Sequence, residues 1–350
     1  MSYNAWTNRV EGTSGRAVGE EEIYNDTTLS DSQANRVVVF LVGKMNFFLE
    51  TLQLLFFFLY YNVEAFLKLF ISAKRKNVTG EVVLITGAGS GIGRLMALEF
   101  AGLDVSLVLW DINQEGNKET ARLAREKGAV RVHAYLCDCS DNAEVYRVAD
   151  QVKRDIGDVS ILINNAGIVT GKKFMDTPDS LIRKTIEVNT MSHFWMYKAF
   201  LPAMVASNHG HLVSITSSAG LFSANCLADY CASKFAAIGF AESVALELLA
   251  TGKDGVKTTI VCPYFINTGM FDGCNTKWPT VLPLLEPDYV AKKIVNAILT
   301  NEAYLLLPKS LYVLVGLKSF LPSKCADQLG VYLGTFSFMD AFRGHTKKEQ

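Results

Sequence analysis

An α/β fold with a parallel sheet covered on both faces is what this 350-residue chain predicts, and three observations carry the prediction. Short, almost continuously apolar runs alternate with stretches of helical period, the pattern of strands buried under helices. The first run ends in a glycine-rich turn that opens a helix. The second ends in an acid, Asp111, 18 residues beyond Gly93.

Taken in order, the elements begin with a polar, acidic stretch over 1–36, where Glu20, Glu21 and Glu22 are consecutive and no apolar period appears. It reads as a disordered tail. Residues 37–72 form a hydrophobic stretch that reads as a membrane anchor, densest in MNFFLETLQLLFFFLYYNV (45–63), with Glu50 as that window's only charge. The window reaches the roughly 20 residues that a transmembrane helix needs. Lys44, Glu50, Glu64 and Lys68 interrupt the wider run, which leaves an interfacial or core helix as the other reading. A basic leader and a small-residue cleavage site are both missing, so it is not a cleavable signal. Lys74, Arg75 and Lys76 follow the run, and the positive-inside rule then puts the bulk of the chain in the cytosol.

Seven strands are expected in one domain over 80–307: VVLIT (82–86), VSLVLW (105–110), VRVHAYL (130–136), VSILIN (159–164), GHLVSIT (210–216), VKTTIVC (256–262) and the weaker AYLLL (303–307). The remaining segment, 308–350, is again apolar, with Lys309, Lys318 and Lys324 interspersed. It reads either as an amphipathic element on a membrane surface or as a helix closing a substrate pocket.

Composition excludes several function classes. A net charge of −1 gives no basis for nucleic-acid binding, which draws on clustered Lys and Arg. Seven cysteines are an odd number without a CxxC pair, and the Cys137–Cys139 spacing lacks the second ligand pair of a zinc site. Reduced thiols facing the cytosol are expected. His209 and His211 flank a glycine with no carboxylate or cysteine near in sequence, so no metal site is expected.

The glycine turn T-G-A-G-S-G-I-G (86–93) supplies Gly87, Ser90, Gly91, Ile92 and Gly93 as candidate cofactor contacts. Glycines let the chain turn sharply from strand to helix and approach a pyrophosphate closely, and backbone N–H groups then bind the anion. Asp111 would accept hydrogen bonds from the adenosine ribose and repel a 2′-phosphate, which favours NAD over NADP. Arg94, inside the helix of the glycine turn, is the one basic residue that complicates this preference.

The order T-G-x-x-x-G-I-G (86–93), N-N-A-G (164–167) and Y-x-x-x-K (230–234), spread over about 80–307, resembles the short-chain dehydrogenase/reductase family. The resemblance implies a Rossmann-type, doubly wound sheet and NAD as cofactor. It implies that NNAG stabilises the sheet beside the cofactor, with Asn165, Ala166 and Gly167 at the site. Asp138 matches the adenine-contacting Asp, Asn189 in EVNT the catalytic asparagine that holds a proton-relay water, and Ser217 the catalytic serine in preference to Ser218. Pro263 and Thr268 match the P-G-x-x-x-T stretch around the nicotinamide, but Tyr264 replaces its glycine.

These roles make chemical sense together. Tyr230 and Lys234 share a helix face one turn apart, and the lysine charge together with the positive nicotinamide of NAD⁺ would favour the phenolate that takes the alcohol proton. A free tyrosine, with a pKa near 10, is otherwise a poor base at neutral pH. Ser217 would bind the substrate oxygen, Lys234 the ribose hydroxyls, and Asn189 would connect the relay to solvent.

VLWDIN, HFWMYKAFLPAM, HGHLVSI, DYCASKFAA and KTTIVCPYF further resemble the family's branch of membrane-bound retinol dehydrogenases. That implies oxidation of all-trans-retinol to retinaldehyde at an endoplasmic reticulum membrane or lipid droplet, by a cytosolic catalytic domain. It also implies contact with membrane lipid, and a homodimer packed through the Tyr/Lys helix, whose 235–250 stretch has an apolar face. Members begin near Met45, so 1–44 reads as an extension and Met45 as an alternative start. A 17β-hydroxysteroid is the competing substrate, and a catalytically idle lipid-droplet scaffold is the reading from another class. Met270, Phe271, Trp278, Val281, Leu282 and Tyr264 are the candidate substrate walls, together with the LYVLVGL stretch (311–317).

Overall fold

A computed structural model describes residues 28–68 and 73–344, with the side chains of 28–44 and of Lys68 left aside, and the chain divides into two units at Ala73/Lys74. The first unit holds one helix, α1 (Thr28–Lys68). It begins within the stretch read as an acidic tail, while residues 1–27 lie outside the described ones. Among the described residues no helix is long and apolar enough to cross a membrane, so the spanning reading of the anchor has no such helix behind it. Asn46, Glu50, Gln53 and Asn62 dilute the apolar run. Large apolar side chains are nonetheless exposed along it, from Met45 to Leu67.

The second unit is the expected α/β domain. Its strands are β1 (Val82–Thr86), β2 (Ser106–Asp111), β3 (Arg131–Leu136), β4 (Ile161–Asn164), β5 (Gly210–Ile215), β6 (Val256–Pro263) and β7 (Tyr304–Leu307). All seven are parallel, in the order β3-β2-β1-β4-β5-β6-β7. The helices between them are α2 (Gly91–Phe100), α3 (Gln114–Glu126), α4 (Asn142–Asp155), α5 (Asp179–Ile186), α6 (Ser192–Ser207), α7 (Ala228–Ala250) and α8 (Pro287–Leu299). After β7 come α9 (Ser310–Phe320) and α10 (Ser323–Leu333).

Alternation along the strands divides the core. Val83, Ile85, Leu107 and Leu109 face one side, where Met96 and Phe100 of α2 and Val290 and Ile294 of α8 cover them. Leu84, Val108, Leu162 and Leu212 face the other, under Val145 and Val152 of α4 and Met196 and Phe200 of α6. Each fully buried aliphatic side chain contributes about 1.5–3 kcal/mol, so the continuous apolar runs are what hold the sheet between its helices. Caps set two helix starts: Asn113 accepts from Gly116 N at α3, and Asp141 accepts from Ala143 N at α4.

Strand order reverses between β1 and β4, and the carboxyl ends of the strands there open a crevice, where open α/β sheets bind ligands.

The basic flank of the apolar run is packed into this second unit. Lys76 N donates to the Leu299 carbonyl (2.7 Å), and its ammonium lies 2.8 Å from His211 Nδ1. Burial lowers the Lys76 pKa to about 8. Arg75 donates to Asn296 Oδ1 (2.7 Å). The positive-inside argument therefore loses Lys76 as a solvated cation.

Candidate active site

A cavity of about 470 Å³ occupies the crevice, and every predicted cofactor residue lines it: Gly87, Ser90 to Gly93, Asp111, Asp138, Asn165 to Gly167, Tyr230, Lys234, Pro263 and Thr268. The turn is held by tight backbone geometry. Gly87 and Gly91 have φ of +64° and +53°, in the left-handed region. A Cβ on Gly93 would collide with the Gly87 carbonyl oxygen. Asn165 clamps the same turn, donating from Nδ2 to the carbonyls of Thr86 (2.9 Å) and Gly87 (3.2 Å). In return Thr86 Oγ1 accepts from Asn165 N (2.9 Å) and Ala166 N (3.0 Å), so NNAG and the glycine turn are one hydrogen-bonded unit.

Asp111 stands at the end of β2. Its Oδ2 accepts from Gly89 N and its Oδ1 from Asn113 N, both at 2.7 Å. Those bonds orient the carboxylate and leave each oxygen further acceptor capacity toward the cavity. Arg94 turns away from this position. Its guanidinium donates to the Gly89 and Gly116 carbonyls and to Thr120 Oγ1, so it is not free for a 2′-phosphate. Across the cavity, Asp138 accepts from Ser140 and, at 3.0 Å, from Lys184 Nζ. Burial works to raise the Asp138 pKa, but those hydrogen bonds outweigh it and the net shift is downward. Lys184 is a cavity residue the sequence reading missed, since a lysine on an amphipathic helix carries no local signal.

At the far end sit the proposed reacting groups. Tyr230 and Lys234 lie one turn apart on α7, both buried, with Lys234 Nζ 5.8 Å from the tyrosine ring centre. Lys234 Nζ donates to the Ile215 carbonyl (3.1 Å). Burial dominates, pushing Tyr230 up to about 12 even though the Ser217 hydroxyl offsets part of it. The same burial pulls Lys234 down to about 8. Burial shifts both groups toward their neutral forms, yet at about 8 Lys234 still carries its charge at neutral pH.

Ser217 caps the turn at Ser218–Gly220, accepting from Ala219 N (3.1 Å), and lines the cavity. Ser218 does not reach this cavity. Asn189 is the one predicted catalytic residue that does not line it. It is buried in a π-helical turn, Glu187–Met191. Its Oδ1 accepts from Ile168 N (2.8 Å), and its Nδ2 donates to the Ile168 carbonyl (2.9 Å) and Ser233 Oγ (3.0 Å). A Cβ on Gly167 would lie 3.4 Å from Asn189 Oδ1 and 3.6 Å from Lys234 Nζ. The Asn189 side chain thus holds the NNAG loop against α7.

A second chamber of about 310 Å³ adjoins the first. Its walls are mostly apolar, with Phe222, Leu227, Phe265 and Leu282, and Leu311, Leu314, Leu333 and Phe338 from the C-terminal segment, while Lys318 and Asp327 also line it. Of the predicted substrate walls, Tyr264 and Phe271 line both cavities, Leu282 the chamber, and Met270 the first cavity. Trp278 and Val281 line neither. Trp278 is stacked on Tyr332 at 5.3 Å and donates to its carbonyl (2.8 Å), and Ser310 Oγ donates to the Val281 carbonyl. These two residues fasten the chamber from outside. The C-terminal segment lines the chamber with Leu311 and Leu314 while turning Val313, Leu317 and Phe320 to solvent.

His211 is an internal residue, with Nε2 2.8 Å from Thr259 Oγ1, and burial holds its pKa well down. Among the described residues no cluster of His, Cys, Asp or Glu is placed to hold a metal ion. All seven cysteines are free thiols.

With this geometry in place, the family model for short chain dehydrogenases matches residues 81–278. The chain belongs to the short-chain dehydrogenase family. Among its curated relatives, epidermal retinol dehydrogenase 2 of Mus musculus is 63% identical over 82% of this chain and 93% of its own length. The Homo sapiens protein of that name is 60% identical over 87% of this chain and 100% of its own. Estradiol 17-beta-dehydrogenase 11 of Pongo abelii is 48% identical over 80% of this chain and 92% of its own. A crystal structure of a short-chain dehydrogenase/reductase from Burkholderia phymatum in complex with NAD superposes with a TM-score of 0.63 at 27% identity, covering 79% of this chain and 99% of that one. This short-chain dehydrogenase is an oxidoreductase on the expected seven-stranded sheet.

Proposed function

We propose that this chain oxidises a lipophilic alcohol, all-trans-retinol, to the aldehyde with NAD⁺, using Tyr230 as the base. The observation that carries the reading is that the cofactor cavity and the apolar chamber meet at Ser217 and Tyr230. The cofactor cavity fits a dinucleotide. Glycines bring backbone close at one end, the Asp111 carboxylate stands beside that turn, and Tyr230 and Lys234 close the other end. Bound NAD⁺ supplies the hydride acceptor and a positive charge.

The chain's own groups do the rest. Ser217 Oγ holds the substrate oxygen beside the Tyr230 hydroxyl. Tyr230 takes the alcohol proton as the carbon–oxygen double bond forms, and Lys234 stabilises the charge on the phenol. Asn189 keeps the NNAG loop and α7 at fixed separation, so that the lysine stays on target. NAD is favoured over NADP because Asp111 would repel a 2′-phosphate and Arg94 is committed elsewhere. The names of the relatives support the retinoid, and the apolar chamber supports a substrate that partitions into lipid.

Membrane attachment belongs to the same reading. Exposed apolar side chains on α1 and on the outer face of α9 support lipid contact, with Phe320 at 88% exposure. Leu246 and Leu249, exposed on α7, support a homodimer packed on that helix. The domain is placed on the cytosolic side of the endoplasmic reticulum, and glycan at Asn77 in membranes would reverse that orientation. A hydroxysteroid substrate is the second reading, supported by the relative named for estradiol.

The test is NAD-dependent turnover of retinol and of estradiol in membranes, for wild type and Tyr230→Phe. Retinol turnover lost in Tyr230→Phe by about 10²–10⁴-fold or more is expected, the scale of a missing general base. Estradiol turnover alone would move the assignment to the steroid. Inert wild type with every alcohol would leave only a scaffold.

A further inference from the structure

The two cavities share four residues: Ser217, Tyr230, Tyr264 and Phe271. This ring is a neck. Two members present hydroxyls to the reacting oxygen, and the other two are aromatic walls. The walls are held rigidly. Phe271 packs edge-on against Tyr230 (5.7 Å, 81°) and against Phe265 at 4.9 Å. Phe342 backs it at 6.5 Å and itself rests on Gly171, where a Cβ would strike the Phe342 ring. Tyr264 is buried between Phe265 (4.6 Å) and Phe338 (5.9 Å), and its backbone N donates to the Leu307 carbonyl (2.7 Å). Thr276 Oγ1, near enough to influence Tyr264, donates to the Leu282 carbonyl, and the buried Tyr264 hydroxyl has no hydrogen-bond partner among the described residues.

The carbinol carbon of a substrate has four substituents to place in this neck. Its oxygen goes to Ser217 and Tyr230, its transferable hydrogen faces the cofactor cavity, and its carbon chain enters the apolar chamber. The fourth substituent then faces the remaining wall, Tyr264 and Phe271. In a primary alcohol that substituent is hydrogen; in a secondary alcohol it is carbon. From this we infer that Tyr264 and Phe271 are specificity residues that restrict the enzyme to primary alcohols and exclude ring-borne secondary ones. The inference rests on the proposed oxidation at Tyr230 and sharpens its substrate class. The glycine expected at 264 would leave this wall open, and the tyrosine narrows it.

The experiment compares all-trans-retinol with its secondary analogue carrying one methyl on the carbinol carbon, with the full chain in membranes. Wild type should favour the primary alcohol in kcat/KM by about 10–200-fold, the range one extra methylene commands in a tight pocket. Phe271→Ala should lower retinol turnover and shrink that ratio at least about tenfold, because the vacated space admits the methyl. Phe271→Leu, which keeps most of the packing, should give an intermediate ratio and serves if the alanine variant fails to accumulate. A wild-type ratio near unity overturns the inference, as does an equal loss of both alcohols in the Phe271 variants. In either case, retained retinol turnover leaves the proposed function standing. Wild type inert on both alcohols yet active on estradiol overturns the function and the neck together.

Discussion

The cofactor cavity and the apolar chamber meet at Ser217, Tyr230, Tyr264 and Phe271 but are built in opposite ways. The first is lined by backbone and small side chains at the carboxyl ends of β1, β2 and β4, each next to its own motif. Its key contacts are hydrogen bonds between those motifs, such as Asn165 to the Gly87 carbonyl. The chamber has no motif. Its walls come from the turn after β5, from the loop before α8, and from α9, α10 and the residues that follow, brought together mainly by apolar packing and fastened by scattered hydrogen bonds such as Trp278 to the Tyr332 carbonyl. Recognition of a fixed cofactor is written into short, strict stretches, whereas recognition of a lipophilic substrate is spread over surfaces that only need to be apolar and well placed.

The sharpest break between the two cavities is Gly93→Ala. Its new Cβ meets the Gly87 carbonyl oxygen, so the turn must open. NAD binding measured by calorimetry should be lost, with a fall in unfolding stability of about 1–3 kcal/mol, the scale of overpacking. Retained NAD affinity would dissolve the claim that this turn is the cofactor cradle.

Leu314→Ala strikes the chamber alone. Removing a buried leucine should cost about 2–5 kcal/mol of stability and raise KM for retinol, while NAD affinity stays at the wild-type value. Loss of NAD affinity in parallel would mean the two cavities are not separable.

A milder contrast is electrostatic. Lys234 has its pKa lowered by burial to about 8, below its ordinary value of 10.5. The folded state therefore binds fewer protons than the unfolded state between those two pH values, and stability rises with pH across that window. Below pH 8 the cost of burying the charge is present in full. Lys234→Met should remove that rise, as read by denaturant unfolding of both proteins at pH 7.5 and 10. An unchanged pH dependence would show that Lys234 is not strained by burial.

The smallest effect belongs to Trp278→Ala. Its ring stacks on Tyr332 outside the chamber, so about 0.5–1.5 kcal/mol of stability should go while KM for retinol holds. A raised KM would extend the chamber wall to the Trp278 loop.

The seven strands were legible within about two residues, because strands buried on both faces must be apolar throughout. The candidate cofactor residues carry a local signal for a related reason: glycine adopts the positive φ values at Gly87 and Gly91 without steric cost, and an acid at the end of β2 suits a ribose. Other features stayed hidden. Lys184 pairs with Asp138 across 46 positions of sequence, and Phe342 reaches Gly171 from the far end of the chain. Trp278 looked like a wall and is a fastener, since side-chain chemistry does not say which way a loop residue turns.

By itself, then, the amino-acid order determined the sheet, the glycine turn, and the identities of Ser217, Tyr230 and Lys234, all of which depend on local backbone geometry or on spacing along one helix. The tertiary structure decided what surrounds them. It buried Tyr230 and Lys234 so that both shift toward neutrality, withdrew Arg94 from the nucleotide site, and set Asn189 to holding the loop at Ile168. It also built the neck from Tyr264 and Phe271. Burial and long-range packing have no local signature, because they depend on which distant side chains arrive, and that is settled only when the chain has folded.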